Sequence, residues 1–503
     1  MARYKNFDRT QTQLVPVDFS EQILPGTFED VLDRLVDRHL DLSKLDQRYR
    51  NDKTGAPAYD PRVLLKIILY AYSRGIRSSR RIEHACRTNI LFMALSGSAM
   101  PDFTTITNFA SSLADDALTF FSDILAVCLR LGLIDWRILA IDGCKLPANA
   151  SRDWSGTHRD LAKKRDKLKE RLRLVLESHR KSDQRDRSVK RFRRQIKRID
   201  RFLSENQPRP GKRGNEVQSN VTDNESAKIR TARGMIQGYN GVAIVDSKHQ
   251  IVVAAGAYGT GQEFELLQPT LKLLDVMLKG QSKPDLKKSL LLADTGYFSE
   301  ENLAYLAARK QNALIPDSGY RKRDPRYTTA GRYKNRINGR TRKKIQPKKF
   351  ALSDFKFDRK TNTYICPNNK TLRQTSASTW SRNVNHRRYT ARETDCSVCP
   401  LRDRCLAGSR TKRRNLQIIN QKGEQTHASR MVARIDSVRG RKLYSKRMGI
   451  VEPVFANITY QKKLNRFTMR GRSKNNAQWN LYMIVNNIEK IANFGPRRRV
   501  LRL

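Results

Sequence analysis

Acids carry the most suggestive chemistry in a chain that is otherwise strongly cationic. Asp142 follows the run Arg137-Ile138-Leu139-Ala140-Ile141, and Asp294 follows Ser289-Leu290-Leu291-Leu292-Ala293. Both runs are short and apolar, the pattern of a buried strand, so each acid is predicted at a strand end. A strand end lets a rigid sheet present a side chain to a cleft. Carboxylate oxygens suit hard cations such as Mg²⁺. Two such ions held ~4 Å apart can activate a water or a 3′ hydroxyl and stabilise the leaving oxygen of a phosphoryl displacement. A third acid, from a helix beyond the sheet, would complete the cage. A single strand-end Asp is more often a turn or cap, so the weight rests on the combination. Asp223 and Glu225 are rival acids, but they stand in a polar loop and read as structural or DNA-proximal.

Sulfur offers a second chemistry. Of seven cysteines, Cys366, Cys396, Cys399 and Cys405 fall in one polar, turn-rich segment, with Cys396 and Cys399 in a Cys-x-x-Cys spacing. Four thiolates match a closed structural Zn²⁺ site, which stabilises a segment with little core of its own. His386 is an alternative ligand, and four reduced thiols without metal is the plainer reading. Cys86, Cys128 and Cys144 are scattered and read as small buried residues.

The partner is legible in the charge. Lys and Arg number 100 against 49 Asp and Glu, a formal net charge of +51. Such a chain repels itself unless something anionic neutralises it, and phosphates do so with release of counterions. Charge alone does not separate DNA from RNA, although no RNA-recognition module signature is apparent. Met1 to Pro16 has no apolar core of a secretory signal, and runs such as Val63 to Tyr72 are too short to span a bilayer. Cysteine usage is not that of a secreted disulfide framework. A cytoplasmic, nucleoid-associated location is expected.

The elements that must position these residues change character along the chain. Residues 1–135 read as a helical N-terminal domain. Phe28, Val31, Leu32, Leu35 and Val36 recur at helical spacing, Asp60-Pro61 starts a helix through Tyr72, Ser78 or Ser79 caps a basic helix, and Thr104 opens another. Short helices with exposed Arg suit a helix-turn-helix reading or an all-α packing module. From Arg137 onward strands mix with helices: 237–246 and 250–257 joined by a turn at Ser247-Lys248, a helix at 266–278, a helix capped by Ser299, and a last strand at 313–315. That order is α/β. Between the first two strands, 156–212 is packed with Lys and Arg. Leu161, Leu168, Leu172 and Val175, then Val189, Phe192, Ile196 and Ile199, predict an antiparallel helical hairpin turning at Ser182-Asp183. It either spaces domains or contacts phosphate. Ser318 to Phe350 is basic and aromatic, with Tyr320, Tyr327 and Tyr333, and suits a nucleic-acid loop or a plain surface loop. Arg497-Arg498-Arg499 closes a short basic tail.

Three strings carry a family likeness: Ile138-Leu139-Ala140-Ile141-Asp142-Gly143; Leu290 through Asp294-Thr295-Gly296-Tyr297; and Tyr444-Ser445-Lys446-Arg447 through Glu452-Pro453-Val454-Phe455. They resemble the three acidic motifs of bacterial insertion-sequence DDE transposases, in the subgroup marked by a Tyr-Arg-Glu-Lys signature. Tyr59-Asp60-Pro61 and Met100 through Ile106 resemble that family's helical N-terminal domain. Thr222-Asp223, Glu225-Ser226 and Gly238-Tyr239-Asn240 resemble its second-strand region.

The resemblance implies an RNase H-like catalytic core, with 136–317 as its first part, 318–430 as a basic and Cys-rich insertion, 431–494 as its second part and 495–503 as tail. It implies Asp142, Asp294 and Glu452 as ligands of Mg²⁺ or Mn²⁺. Tyr444 and Arg447 would touch transposon-end DNA or order the site. Four residues separate Arg447 from Glu452 where the signature has three, and the signature Lys falls near Thr459, so that role is absent or taken by Lys462 or Lys463. The implied activity is binding of terminal inverted repeats, 3′ cleavage and joining to target duplex, by a homodimer that holds two ends. The alternatives are an RNase H-like nuclease without strand transfer and a DNA-binding protein with a dead site.

Overall fold

The computed structural model describes residues 16–49, 57–177, 183–211, 214–232, 234–279, 285–327, 349–381, 384–406, 408, 410–419 and 426–496. Met1 to Val15, Ser182, Tyr333 and the Arg497–Arg499 tail lie outside them. The chain divides into two compact units. One comprises Met1–Tyr297, Tyr305–Ile315 and Arg441–Leu503; the other comprises Phe298–Ala304 and Pro316–Gly440.

In the first unit, helices begin where the chain supplies caps. Helix α1 (Phe28–Arg38) starts at Thr27, whose side chain accepts from Asp30 N, and buries Val31, Leu32, Leu35 and Val36. Helix α2 (Pro61–Ser73) starts at Asp60, whose carboxylate accepts from Arg62 N at 2.7 Å. Lys66 on α2 is buried, but its ammonium is paired with Asp33 at 2.7 Å and Asp37 at 2.8 Å, which offsets the cost of its desolvation. Helix α3 (Ala117–Arg130) completes the apolar layer.

The sheet follows, with strands β1 (Ile138–Pro147), β2 (Ala227–Thr231), β3 (Gly234–Asp246), β4 (Val252–Tyr258), β5 (Leu290–Ala293) and β6 (Asn312–Leu314). Its order is β6-β5-β1-β3-β2, with β4 also paired to β3. β1, β5 and β6 are mutually parallel; β3 is antiparallel to β1, β2 and β4. The molecule is thus α/β, as expected.

The expectation that β1 stops at Asp142 is corrected. The strand continues to Pro147, because Gly143 through Pro147 keep their pairing with β3 down to Gly238. On the other side the parallel pairing of β1 with β5 ends at Ile141 opposite Ala293. Asp142 and Asp294 are therefore the next residues in register on the two strands, where β5 leaves the sheet and β1 runs on.

The basic hairpin forms as helices α4 (His158–Glu177) and α5 (Asp183–Glu205). Its buried seam is Leu161, Leu168, Ile199 and Phe202, with Trp154, Phe192 and Ile196 against it. Toward the tip the seam thins, and Leu174 and Leu176 are exposed. After helix α6 (Leu267–Met277) and β5 and β6, the first unit resumes with α7 (Lys446–Ala456) and the long α8 (Arg472–Phe494).

α8 was not read from the sequence, because Asn475, Gln478, Asn480, Asn486 and Asn487 interrupt its apolar period. They are buried nonetheless. Asn487 brackets Val252 like an extra strand, donating to its carbonyl at 2.8 Å and accepting from its N–H at 2.9 Å. Trp479 Nε1 donates to Val242 O at 3.0 Å, and Tyr482 stacks on Tyr72 with centroids 4.5 Å apart. α8 thus packs on β4, α2 and α3 at once, which places the N-terminal helices and the sheet in one unit.

The second unit is built on an antiparallel meander of β7 (Lys356–Asp358), β8 (Thr363–Ile365), β9 (Thr371–Ser381), β10 (Val384–Ala391) and β11 (Asn415–Ile419). Its small core is Phe355, Leu372, Tyr389, Ala391 and Leu416. The strands are rich in Thr, Ser and Arg, which is why the sequence read as turns alone. Among the described residues, no helix is long and apolar enough to cross a membrane.

Candidate catalytic centre

Registration of β1 with β5 brings Asp142, within β1, and Asp294, just past the end of β5, to the same level, and α7 supplies the cation between them. Arg447 Nη1 donates to Asp142 Oδ2 at 2.8 Å, and Nη2 stands 3.7 Å from Asp294 Oδ1. Arg447 is buried with Ile450, Val451 and Val454, the face of α7 turned to the sheet. Asp142 also accepts from Gly143 N at 2.8 Å. Burial pushes the Asp142 carboxyl above its ordinary range; Arg447 opposes this and Asp294 adds to it. Burial works to strip Arg447 of its proton, but Asp142, Tyr444 and Asp294 together hold its pKa above the usual value. The centre is thus an anionic pair made tolerable by one guanidinium.

Glu452 does not join them here. It lies five residues beyond Arg447, about 140° round the helix at ~100° per residue, and it is exposed. Among the described residues, no three Asp, Glu, His or Cys side chains are already gathered to hold a metal. The chemistry of the donor set nonetheless suits a hard cation. Asp142 and Asp294 offer carboxylate oxygens from rigid strands, and a divalent ion would replace the charge that Arg447 now supplies.

The remaining sequence-predicted residues separate. Tyr444 is half-buried and lies within electrostatic reach of Arg447. Lys463 is exposed. Lys462 is not available to a ligand as expected: it is 2% exposed, and its ammonium is held by Glu489 at 2.7 Å and Asn457 at 3.0 Å. A π-helical turn at Asn457–Gln461 follows α7 and turns Lys462 inward. The rival acids are bonded within the fold. Asp223 is buried and accepts from the Tyr239 hydroxyl at 2.7 Å, and Glu225 accepts from Arg472 N at the start of α8 at 2.8 Å.

Sequence reasoning missed a flanking group. Glu263, in the turn before α6, pairs with Lys145 of β1 at 2.9 Å. It packs so closely on Gly296 that any side chain there would collide with its carboxylate. Tyr297 is fully buried, and burial, Asp142, Glu263 and Asp294 together raise its hydroxyl pKa well above the ordinary value. The one available signal was the glycine of Asp294-Thr295-Gly296-Tyr297, which leaves room for the Glu263 carboxylate against the backbone.

Two family models match the chain. The transposase DDE domain covers residues 365–492, a span that includes Tyr444, Arg447, Glu452 and the four clustered cysteines. The transposase domain DUF772 covers residues 17–112, the helical N-terminal segment. Asp142 and Asp294 lie between the two matched spans. No curated protein matches. With a transposase-domain match toward either end and an acid pair joined to the α7 motif in one centre, the chain is similar to the insertion-sequence DDE transposases.

Proposed function

We propose that the chain is a transposase that binds the terminal inverted repeats of its element, hydrolyses the 3′ phosphodiester at each end and joins the freed 3′ hydroxyl to target duplex. The observation that carries the reading is the convergence of Asp142 and Asp294 on Arg447, a residue of the same helix as Glu452. The sheet supports it too. Antiparallel β4, β3 and β1 followed by parallel β5 and β6 is the order expected of an RNase H-like core, with the third acid on a helix after the last strand.

In this reading Asp142 and Asp294 would hold Mg²⁺ or Mn²⁺ once DNA drew Arg447 onto a phosphate, and Glu452, on the outer face of α7, would complete the set only through a rotation of that helix. The ions supply Lewis-acid activation of the attacking oxygen and stabilisation of the leaving one. The protein's own work is to fix the carboxylates on strands, keep the cleft dry through Tyr297 and the buried face of α7, and neutralise phosphates with Arg447 and Lys463. The basic hairpin tracks the duplex backbone. A homodimer holds two ends together.

The test is cleavage and joining of a labelled transposon-end duplex with Mg²⁺, Mn²⁺ or chelator. Metal-dependent 3′ nicking followed by strand transfer is expected. Nicking without joining would leave the nuclease alternative. End binding without either reaction, under all metals, would reject catalysis.

A further inference from the structure

Four thiols from separate stretches of the second unit converge on one cavity that the transposition chemistry does not use. Cys366 follows β8 and opens the tight turn to β9, in which its carbonyl accepts from Asn369 N at 2.9 Å and its Sγ accepts from Lys370 N at 3.3 Å. Cys396 lies in the helical turn Glu393–Ser397, Cys399 follows it, and Cys405 ends the turn Arg402–Cys405. Cys399 Sγ accepts from Asn368 Nδ2 at 3.5 Å. All four line a cavity of about 20 Å³, room for roughly one water-sized sphere. All seven cysteines of the chain are free thiols.

The surroundings are those of an anionic sulfur centre. Four thiolates about one divalent ion leave a net charge of two negatives. Arg402, Arg414 and Lys370 line the same cavity with Asp395 as the only acid, so the lining carries two positive charges in excess. The two guanidiniums also hold the ligand segments in place: Arg402 Nη1 donates to Cys396 O and Arg414 Nη1 to Cys405 O, each at 2.9 Å. Arg414 Nε is buried and has no acceptor among the described residues. A buried donor left unpaired is costly, and a thiolate beside it would relieve that. His386, the alternative ligand, stands on β10 opposite Thr379 and Ile419 and does not line the cavity.

We propose that Cys366, Cys396, Cys399 and Cys405 bind one zinc ion in a closed, tetrahedral, structural site that ties the β8–β9 turn to the Glu393–Cys405 segment. Bound zinc would stand ~2.3 Å from each sulfur, and its uptake would release the thiol protons to solvent. Four sulfurs leave no open position, so the ion takes no part in phosphoryl transfer. It supplements the small apolar cluster of Phe355, Leu372, Tyr389, Ala391 and Leu416. This inference stands apart from the proposed transposition mechanism.

The test uses the full-length chain under reducing conditions. Metal content is measured by mass spectrometry, and the chain is then loaded with Co²⁺. The expected result is about one zinc per chain, replaced by cobalt with the sulfur-to-metal charge transfer and strong visible bands of a tetrahedral thiolate site. Cys396→Ser with Cys399→Ser should abolish that spectrum, whereas Cys86→Ala or Cys144→Ala should not. If the double variant fails to fold, the wild-type spectrum still decides. A folded wild-type chain that takes up no stoichiometric thiophilic metal, or binds cobalt without thiolate charge transfer, overturns the proposal. So does a folded double variant that keeps the metal.

Discussion

A guanidinium held between two carboxylates sets up different outcomes for substitutions in and around the centre. Asp142→Asn and Asp294→Asn should each remove a metal ligand while leaving end binding intact. Strand cleavage should fall by more than the ~10–100-fold that outer-sphere partners cost. Arg447→Ala should leave Asp142 buried beside Asp294 with no counter-charge, so both stability and cleavage are expected to fall, by about 3–5 kcal/mol in the first case. Glu452→Gln should spare stability, because the side chain is exposed, and still abolish cleavage; unchanged cleavage would remove Glu452 from the mechanism.

A pH effect belongs at this scale as well. Asp246 is buried beneath the backbone N–H groups of Trp136 and Lys248, and burial raises its pKa from 3.8 to about 6. The folded chain then binds this proton more tightly than the unfolded one. The contribution is present below about 3.8 and is lost as pH rises through about 6. Asp246→Asn should flatten that part of the stability profile, by up to ~3 kcal/mol at ~1.4 kcal/mol per pH unit. Denaturant melts across pH 4–7 compare the two chains.

Elements differ in how far they could be read in advance. β1, β3, β4 and β5 were legible because buried apolar runs leave no ambiguity of period, and α2 because Asp60 and Pro61 mark its start. The register that joins Ile141 to Ala293 is a long-range fact that no local pattern contains, and so are the Arg447 contact and the burial of Lys462. α8 hid behind its asparagines, whose amides serve backbone groups of β4. Its docking suggests a stability test. A methyl group at Gly241 would meet the Trp479 ring at 2.8 Å, so Gly241→Ala should cost about 1–3 kcal/mol, the range for overpacking, seen as a lower denaturation midpoint. The hairpin gives another test. Arg187, Lys190, Arg194, Lys197 and Arg201 recur along α5 at three- and four-residue spacing and are exposed. Charge reversal of the first four should weaken duplex binding at low salt and reduce the salt slope by up to about 4. An unchanged slope would make the hairpin a spacer.

At the scale of the whole molecule, two units with separate cores should melt separately. Calorimetry of the full chain is expected to resolve more than one transition, as multi-domain chains do. A single two-state transition would mean that the cores are coupled. The first unit, however, is assembled from both ends of the polypeptide. Arg447 meets Asp142 across 305 residues, and α8, which joins the N-terminal helices to the sheet, is made later still. At translation rates of about 5–20 residues per second, roughly 15–60 s separate synthesis of the first acid from its guanidinium. The nascent chain can therefore hold no assembled active centre until its last helix has left the ribosome. Under the proposed function, a prematurely terminated product would lack the assembled centre and so could not cut DNA.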